Sequence, residues 1–399
     1  MRVLIVSETL VTGGAETFVL RLASTLRARG QDASLFVLRG DLVNGGQASR
    51  LAAEVPLVAV HIPCLRLVLK LDGFLYQLGS GFSLLRWIQV SKFRKHLLAE
   101  QSEVVHSHLL TADLVVSRAC SALGIPWVST MHGDYLALEE KGNSRAARIP
   151  DFGAAMREIE PSVRQMICIT DKQHSQLSRL LPTLADMGRL SKIYNGYAAS
   201  KADLEQRDIP MILADIPKDA FVVGMVARGI RDKGWDVLIA AFSNLNLPDA
   251  WLVLLGDGEY LQKIRPTIQN QKIVFCGNVV DPLRYIARFD VGCLPSQFAA
   301  ESLPTVVIEY LYLGKPVIAT AVGEIPRMLN ANGVAPAGLM IDLADTPAMA
   351  EQMKVALMRL YKNKDERDRM SHNAKNAVRK FDMDACVDAY LKVYKSAQQ

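Results

Sequence analysis

The sequence predicts an α/β protein built from two doubly wound domains, and three observations carry that prediction. The chain opens with a buried strand pattern at residues 3–6, a loop holding Gly13 and Gly14, and a helical face marked by Phe18, Leu22 and Leu26. The same succession restarts with a strand pattern at 221–227, after a stretch at 198–219 rich in charge, alanine and proline that reads as a linker. At 399 residues the chain is also long enough for two domains with ample cores.

Composition narrows the class. Half of the residues are apolar and 22% are charged, which fits a globular protein rather than a disordered one. A net charge of +5 suits anionic substrates or an anionic membrane surface and is too small to argue for nucleic acid. The six cysteines, Cys64, Cys120, Cys168, Cys276, Cys293 and Cys386, are widely spaced without a C-x-x-C pair, so they read as reduced thiols rather than a disulfide frame or zinc site. The N-terminus enters a strand at once and Glu8 interrupts its apolar run, which argues against a signal peptide. No stretch approaches the roughly 20 apolar residues of a spanning helix. The expectation is a cytoplasmic protein, soluble or peripheral on the inner face of the membrane.

Strand patterns follow the first helix at 33–38 and 57–62. Between residues 65 and 98, Arg66, Lys70, Arg86, Lys92, Arg94 and Lys95 are set among leucines and aromatics, with Asp72 the only acid. Such a basic amphipathic segment either lies on anionic lipid or covers the sheet with its charges solvated. Strands at 103–108 and 126–130 run into histidines, His106 and His108 in the first and His132 just after the second. Two histidines alone do not make a metal site, because further ligands at known spacing are missing. His132 stands just past a strand end and before a glycine, where an imidazole either bonds a hydroxyl or packs in a turn. Residues 133–160 form a polar stretch, basic at Lys141, Arg145 and Arg148 and punctuated by Gly142 and Pro150, that reads as holding a mobile loop. A short strand follows at 166–170.

In the second half, Arg228 comes directly after the strand at 221–227 and Lys233 five residues later. A strand end, two cations and a helix make a plausible diphosphate clamp, since Arg offers a planar fork and Lys a point charge; solvated surface charges are the alternative. Further strands read at 251–255, 273–279, 291–294 and 316–319. Between the last two lies the most informative stretch of the chain, 296–316. Pro304 suits the first turn of a helix and Gly314 its end. Glu301 falls in the loop before that helix and Glu309 about two turns in. A helix N-terminus favours phosphate, and a carboxylate can accept two bonds from vicinal hydroxyls. Glutamates at this spacing are otherwise ordinary solvent-facing groups. Helical periods close the chain at 348–360 and 382–394. Asp382-Met383-Asp384 spells a D-x-D metal motif, but at the start of a helix it reads as a capping or solvated pair.

These residues carry a resemblance. Glu301 and Glu309 match the E-x7-E motif of retaining glycosyltransferases with the GT-B fold, and the flanking ESLPTVVIEYLYLGKPVIATAVGEIPRML resembles glycosyltransferase family 4. Residues 191–197 resemble the family's I-x-N-G segment, and Arg228 to Gly234 its G-R-x…K-G segment, with Ala227 where the family usually has glycine. Residues 322–326 resemble G-G-I-P-E, with Glu324 in place of a glycine and Arg327 in place of the usual acid.

The resemblance implies two Rossmann-like domains facing across a cleft. Residues 1–200 would form the acceptor-side domain and 201–378 the nucleotide-sugar donor domain. A C-terminal helix, 379–399, would cross back onto the first. It further implies transfer of a sugar, with retention, from a nucleotide diphosphate sugar to a hydroxyl acceptor, without a metal or other cofactor. Arg228, Lys233, Glu301 and His132 would be catalytic. Gly13, Gly14, Ser302, Leu303, Pro304, Thr305 and Glu309 would bind substrate, Glu309 at the ribose and Glu301 at the donor sugar. Family habit points to a saccharide or lipid-linked saccharide acceptor in bacterial surface polysaccharide synthesis. A nucleotide-sugar epimerase of the same fold and a non-catalytic partner subunit are the alternatives.

Overall fold

The computed structural model describes residues 1–140, 151–199, 209–330 and 336–399. Lys141, Gly142, Arg145, Arg148 and Pro150 of the expected loop, and residues 200–208 of the expected linker, lie outside the described residues. Contacts divide the chain into two units, residues 1–198 with 383–399 and residues 199–382.

In the first unit β1 (Arg2–Ser7) is followed by α1 (Gly14–Ala28), β2 (Asp32–Val37), α2 (Gly45–Ala52) and β3 (Leu57–Ala59). Two helices, α3 (Leu65–Gln77) and α4 (Leu84–Glu100), precede β4 (Val104–His108), α5 (Leu110–Leu123) and β5 (Trp127–Met131). Then come α6 (Tyr135–Glu140), α7 (Phe152–Ile159), β6 (Gln165–Cys168), α8 (Asp171–Leu180), α9 (Pro182–Asp186) and β7 (Leu190–Lys192). The sheet order is β3-β2-β1-β4-β5-β6-β7, and every pairing is parallel.

The second unit holds β8 (Phe221–Val226), α10 (Trp235–Ser243), β9 (Ala250–Leu255), α11 (Glu259–Ile264), β10 (Ile273–Gly277), α12 (Leu283–Ile286) and β11 (Val291–Leu294). It continues through α13 (Thr305–Tyr312), β12 (Val317–Thr320), α14 (Ile325–Leu329), β13 (Gly338–Ile341), α15 (Thr346–Lys362) and α16 (Lys364–Ala377). Its order is β10-β9-β8-β11-β12-β13, again all parallel. In both sheets the order reverses beside the unit's first strand, the place where open α/β sheets receive ligands at their carboxyl ends. The two units are therefore Rossmann-like domains.

The strand sequences explain the layering. Side chains alternate along a strand, so β1 sends Leu4 and Val6 to one core and Val3 and Ile5 to the other. The first core takes Phe93 and Leu97 of α4 and Trp127 of β5; the second takes Phe18, Leu22 and Leu26 of α1. In the second unit Val223, Met225, Leu252 and Leu254 pack against Trp235, Leu238 and Phe242 of α10 and Met349, Met353 and Leu357 of α15. Burial on both faces is what a parallel sheet with helices on each side demands of its strands.

The last helix, α17 (Met383–Ala397), packs within the first unit. Tyr390 and Tyr394 are fully buried there, and a Cβ on Gly196 would lie 2.7 Å from the Cα of Met383. Asp384 and Asp388 pair with Arg29 at 3.1 and 2.6 Å, so Asp384 of the D-x-D string is a surface ion-pair partner.

Three local expectations are corrected, and two strands were not expected. Residues 65–98 form two helices, α3 and α4, because Gly79 at φ +73° ends the first and Ser83 caps the second. The strand expected at 57–62 stops at Ala59, ahead of Pro63. Pro304 is the N-cap of α13 at ψ 114°, not its first helical residue, so Glu309 lies one turn into that helix rather than two. β7 and β13 carry too short an apolar run to be read from the sequence.

Candidate functional site

The carboxyl ends of β8 and β11 bring one set of polar side chains together. After β8 the chain turns through Arg228 to Lys233, and Gly234 is the N-cap of α10. Gly234 has φ +76°, and a Cβ there would fall 2.1 Å from the carbonyl oxygen of Pro295, so only glycine lets the two loops touch. The loops are then stitched by the Gln297 amide donating to the Asp232 carbonyl at 2.7 Å. The indole N–H of Trp235 donates to the carbonyl of Arg228 at 2.9 Å and fixes the turn from beneath. The Tyr310 hydroxyl accepts from the amide of Val226 at 2.9 Å and contacts the carbonyl of Cys293, tying the ends of both strands to α13.

This scaffold places Lys233 Nζ 2.6 Å from Glu301 Oε2, with the two side chains only 10% and 8% exposed. The Ser296 hydroxyl donates to the same oxygen at 2.7 Å. Beside this pair stands the ring of Phe298, with the Lys233 ammonium 4.9 Å and the Arg228 guanidinium 5.5 Å from its centroid. Arg228 itself is exposed. Two cations thus stand within cation–π distance of one ring, a favourable arrangement for each.

Beyond Glu301, Ser302, Leu303 and Pro304 are buried and lead into α13 at Thr305. Pro304 contributes no side-chain cap bond. Four amides at a helix start lack intrahelical acceptors, which leaves a partly positive end. Glu309, one turn in, is buried. The loop after β12 backs this turn. The Glu324 amide donates to the Ser302 carbonyl at 2.8 Å, and Gly323, at φ +56°, leaves room where a Cβ would sit 2.3 Å from the Glu301 carbonyl. Glu324, the residue that departs from the family's glycine, is itself buried.

The remaining candidates lie in the first unit. Gly13 is the N-cap of α1 in extended conformation, and Gly14 is the helix's first residue. His132 follows β5. Its Nε2 lies 2.9 Å from Nδ1 of His108, and its Nδ1 lies 3.4 Å from the amide nitrogen of Asn195. Phe18 of α1 packs against both imidazoles. His106 joins the group with its ring centroid 4.1 Å from that of His108, its nitrogens bonded to Tyr394 at 2.7 Å and Thr130 at 2.8 Å. Burial pushes His132 down to about 3, and burial together with the neighbouring imidazoles holds His106 and His108 well below the usual histidine range. These are neutral, hydrogen-bonding histidines. Among the described residues no group of three or more His, Cys, Asp or Glu side chains is disposed to hold a metal ion. Asp113 of α5 accepts from the Ser107 hydroxyl at 2.5 Å, and burial raises its carboxyl to about 7.

Sequence reasoning missed Ser296, Phe298 and Asn195 as partners in these constellations. Their one visible signal was position, two just before Glu301 and one in the segment closing the first half of the chain.

Comparison with known proteins covers both units. Residues 12–201 match the family model described as Glycosyltransferase Family 4, and residues 213–377 that described as Glycosyl transferases group 1. The chain is 31% identical over 187 residues to a lipopolysaccharide core biosynthesis glycosyltransferase of Rhizobium meliloti, covering 46% of this chain and 52% of that protein. It is 24% identical over 393 residues to a phosphatidyl-myo-inositol mannosyltransferase of Mycobacterium leprae, covering 97% and 94%. The chain thus spans about half the length of the first relative and nearly all of the second. Among solved structures, an Anabaena protein, HepE, in complex with UDP-glucose superposes with a TM-score of 0.75 at 18% identity, covering 99% of this chain and all of that one. A sucrose-phosphate synthase from Thermosynechococcus elongatus superposes with a TM-score of 0.74 at 18% identity, covering 99% and 98%.

Proposed function

Because the chain is a GT-B-fold glycosyltransferase related to the family 4 and group 1 enzymes, we propose that it moves a sugar from a nucleotide diphosphate sugar to a hydroxyl acceptor with retention at the anomeric carbon. The observation that supports this most is the joint placement of Arg228, Lys233 and Glu301 at the carboxyl ends of β8 and β11. Cations, a carboxylate and a helix start brought together from two loops are groups suited to a sugar diphosphate.

In this reading Arg228 and Lys233 neutralise the diphosphate as it leaves. An ammonium has three N–H donors, and Lys233 commits one to Glu301, so the others remain for phosphate oxygens. The amides from Ser302 to Thr305 add their dipoles. These interactions strengthen as charge develops on the leaving oxygen, which is what lowers a barrier. Glu301 accepts from hydroxyls of the transferred sugar, and Glu309 from the ribose. The acceptor oxygen bonds to the anomeric carbon on the face the diphosphate leaves, and the departing phosphate oxygen takes the acceptor's proton. No divalent metal takes part. His132, whose Nε2 is held by His108, bonds a donor-sugar hydroxyl through Nδ1 in place of its long contact to Asn195, and Gly13 and Gly14 let the ligand approach the backbone.

The relatives named for lipopolysaccharide synthesis and for a phosphatidylinositol acceptor support a saccharide or lipid-linked saccharide acceptor in bacterial surface polysaccharide synthesis, on the cytoplasmic side of the membrane. The test is incubation with UDP-, GDP- and ADP-sugars, with and without saccharide acceptors, followed by analysis of product linkage. Acceptor-dependent transfer with retained configuration supports the reading. Isomerisation of the nucleotide sugar alone would make the chain an epimerase, and an inert protein would make it a partner subunit.

A further inference from the structure

Among the described residues, helix α3 has one face without a partner. Leu67, Leu71, Phe74 and Leu78 recur at intervals of four, three and four residues and are each between 42% and 66% exposed. At about 100° per residue they fall within roughly 60° of arc, a continuous apolar stripe. Val68, about a quarter turn round the helix from the stripe's centre, is buried in the core, so the helix is docked and the stripe is exposed. The chain then presents Phe82, 52% exposed, in the turn before α4. On α4 itself Trp87, Arg94 and Leu98 share one exposed helical face. Large apolar side chains seldom line up in water unless something covers them.

The charges around the stripe say what that is. Arg66 and Lys70 are exposed along one edge of it, and Lys92, Arg94 and Lys95 are exposed on α4. Asp72, the segment's single acid, is turned inward, where it accepts from the Ser83 hydroxyl at 2.8 Å and from the amides of Leu84 and Leu85 at 2.6 and 3.2 Å. It serves the start of α4 and does not offset the cations. A second copy meeting this face would bring the same cations and no carboxylate to answer them.

The geometry points to an anionic lipid surface as the occupant. The stripe and Phe82 enter the headgroup–acyl boundary while Arg66, Lys70 and the α4 cations meet lipid phosphates. Among the described residues no helix is long and apolar enough to cross a membrane, so the face lies on the bilayer. This stands on the surface alone and holds whether or not the chain transfers sugar.

The test is sedimentation of the full chain with vesicles of phosphatidylglycerol and phosphatidylcholine, against pure phosphatidylcholine. The wild type should pellet with the anionic vesicles. Binding should fall roughly fivefold for each of Arg66→Gln and Lys70→Gln, and vanish in Leu71→Asp/Phe74→Asp with the thermal transition unchanged. Wild-type protein left in the supernatant with anionic vesicles overturns the inference, as does equal binding to both vesicle types or by the aspartate variant. A dimer in solution that the aspartate variant dissolves overturns it in favour of a second copy.

Discussion

Lys233 and Glu301 close an ion pair of 2.6 Å at the mouth of the second sheet, with both side chains nearly out of solvent. A pair so placed has two consequences that separate on measurement. Truncating one partner strands the other charge, which typically costs about 3–5 kcal/mol, whereas replacing both by apolar groups of similar size is close to neutral. Glu301→Ala and Lys233→Ala should therefore each lower the urea midpoint of the second unit, and Lys233→Met/Glu301→Leu should largely restore it. All three should lose a hundredfold or more in kcat, because the transition-state charge has lost its partners. Recovery of stability without recovery of turnover is the expected signature. Activity in the double variant would sink the assignment.

Phe298 gives both cations a common platform. Each cation–π contact is worth about 0.5–2 kcal/mol, depending on its exposure to water. Phe298→Ala should raise KM for the nucleotide sugar roughly tenfold on that scale, and Phe298→Tyr should leave it nearly unchanged. Steady-state kinetics on the three proteins decide it. A loss confined to kcat, shared equally by the tyrosine variant, would mean that the ring acts otherwise than through Arg228 and Lys233.

Much of this could be read in the letters because the contacts are local or periodic. The strand Val3 to Val6 and the helical face Phe18, Leu22 and Leu26 follow from period alone, and the positions of Glu301 and Glu309 follow from a motif. Other features were hidden because they arise from packing. Asp232 and Gln297 are distant in sequence, and their bond exists because Gly234 lets the β8 and β11 loops touch. The histidine cluster needed β4, β5 and α17 in register, since Tyr394 reaches His106 from the far end of the chain. Pro304 could be placed near a helix start, but whether it capped or entered the helix depended on its ψ, which no sequence pattern sets.

Gly234 offers a test of the loop junction that touches no proposed ligand group. A Cβ there meets the Pro295 carbonyl at 2.1 Å, on a residue already at φ +76°. Strain of this kind costs about 1–3 kcal/mol. Gly234→Ala should relieve it by moving Lys233 away from Glu301, lowering kcat at least tenfold on that scale and lowering the melting temperature. A variant with wild-type kinetics would show that Lys233 does not depend on this junction.

Protonation should act on the first unit through two opposing groups. His132 has its folded value depressed to about 3 from 6.5 by burial, so the unfolded chain takes up protons first as pH falls. Its contribution is complete above about pH 6.5 and is lost toward pH 3, about 2 kcal/mol of it by pH 5. His106 and His108 are depressed by the same cause and act in the same direction. Asp113 runs the other way. Burial raises it from 3.8 to about 7, so the folded unit keeps a proton that the unfolded chain releases, and stability falls as pH rises between those values. Thermal melts from pH 4 to 8 on two variants separate them. His132→Gln should flatten the acid limb relative to wild type, because a neutral amide takes up no proton on unfolding. Asp113→Asn should gain on wild type with rising pH, by up to about 4 kcal/mol at pH 7. Parallel pH profiles for wild type and both variants would mean that neither side chain is as buried in solution as its surroundings here require.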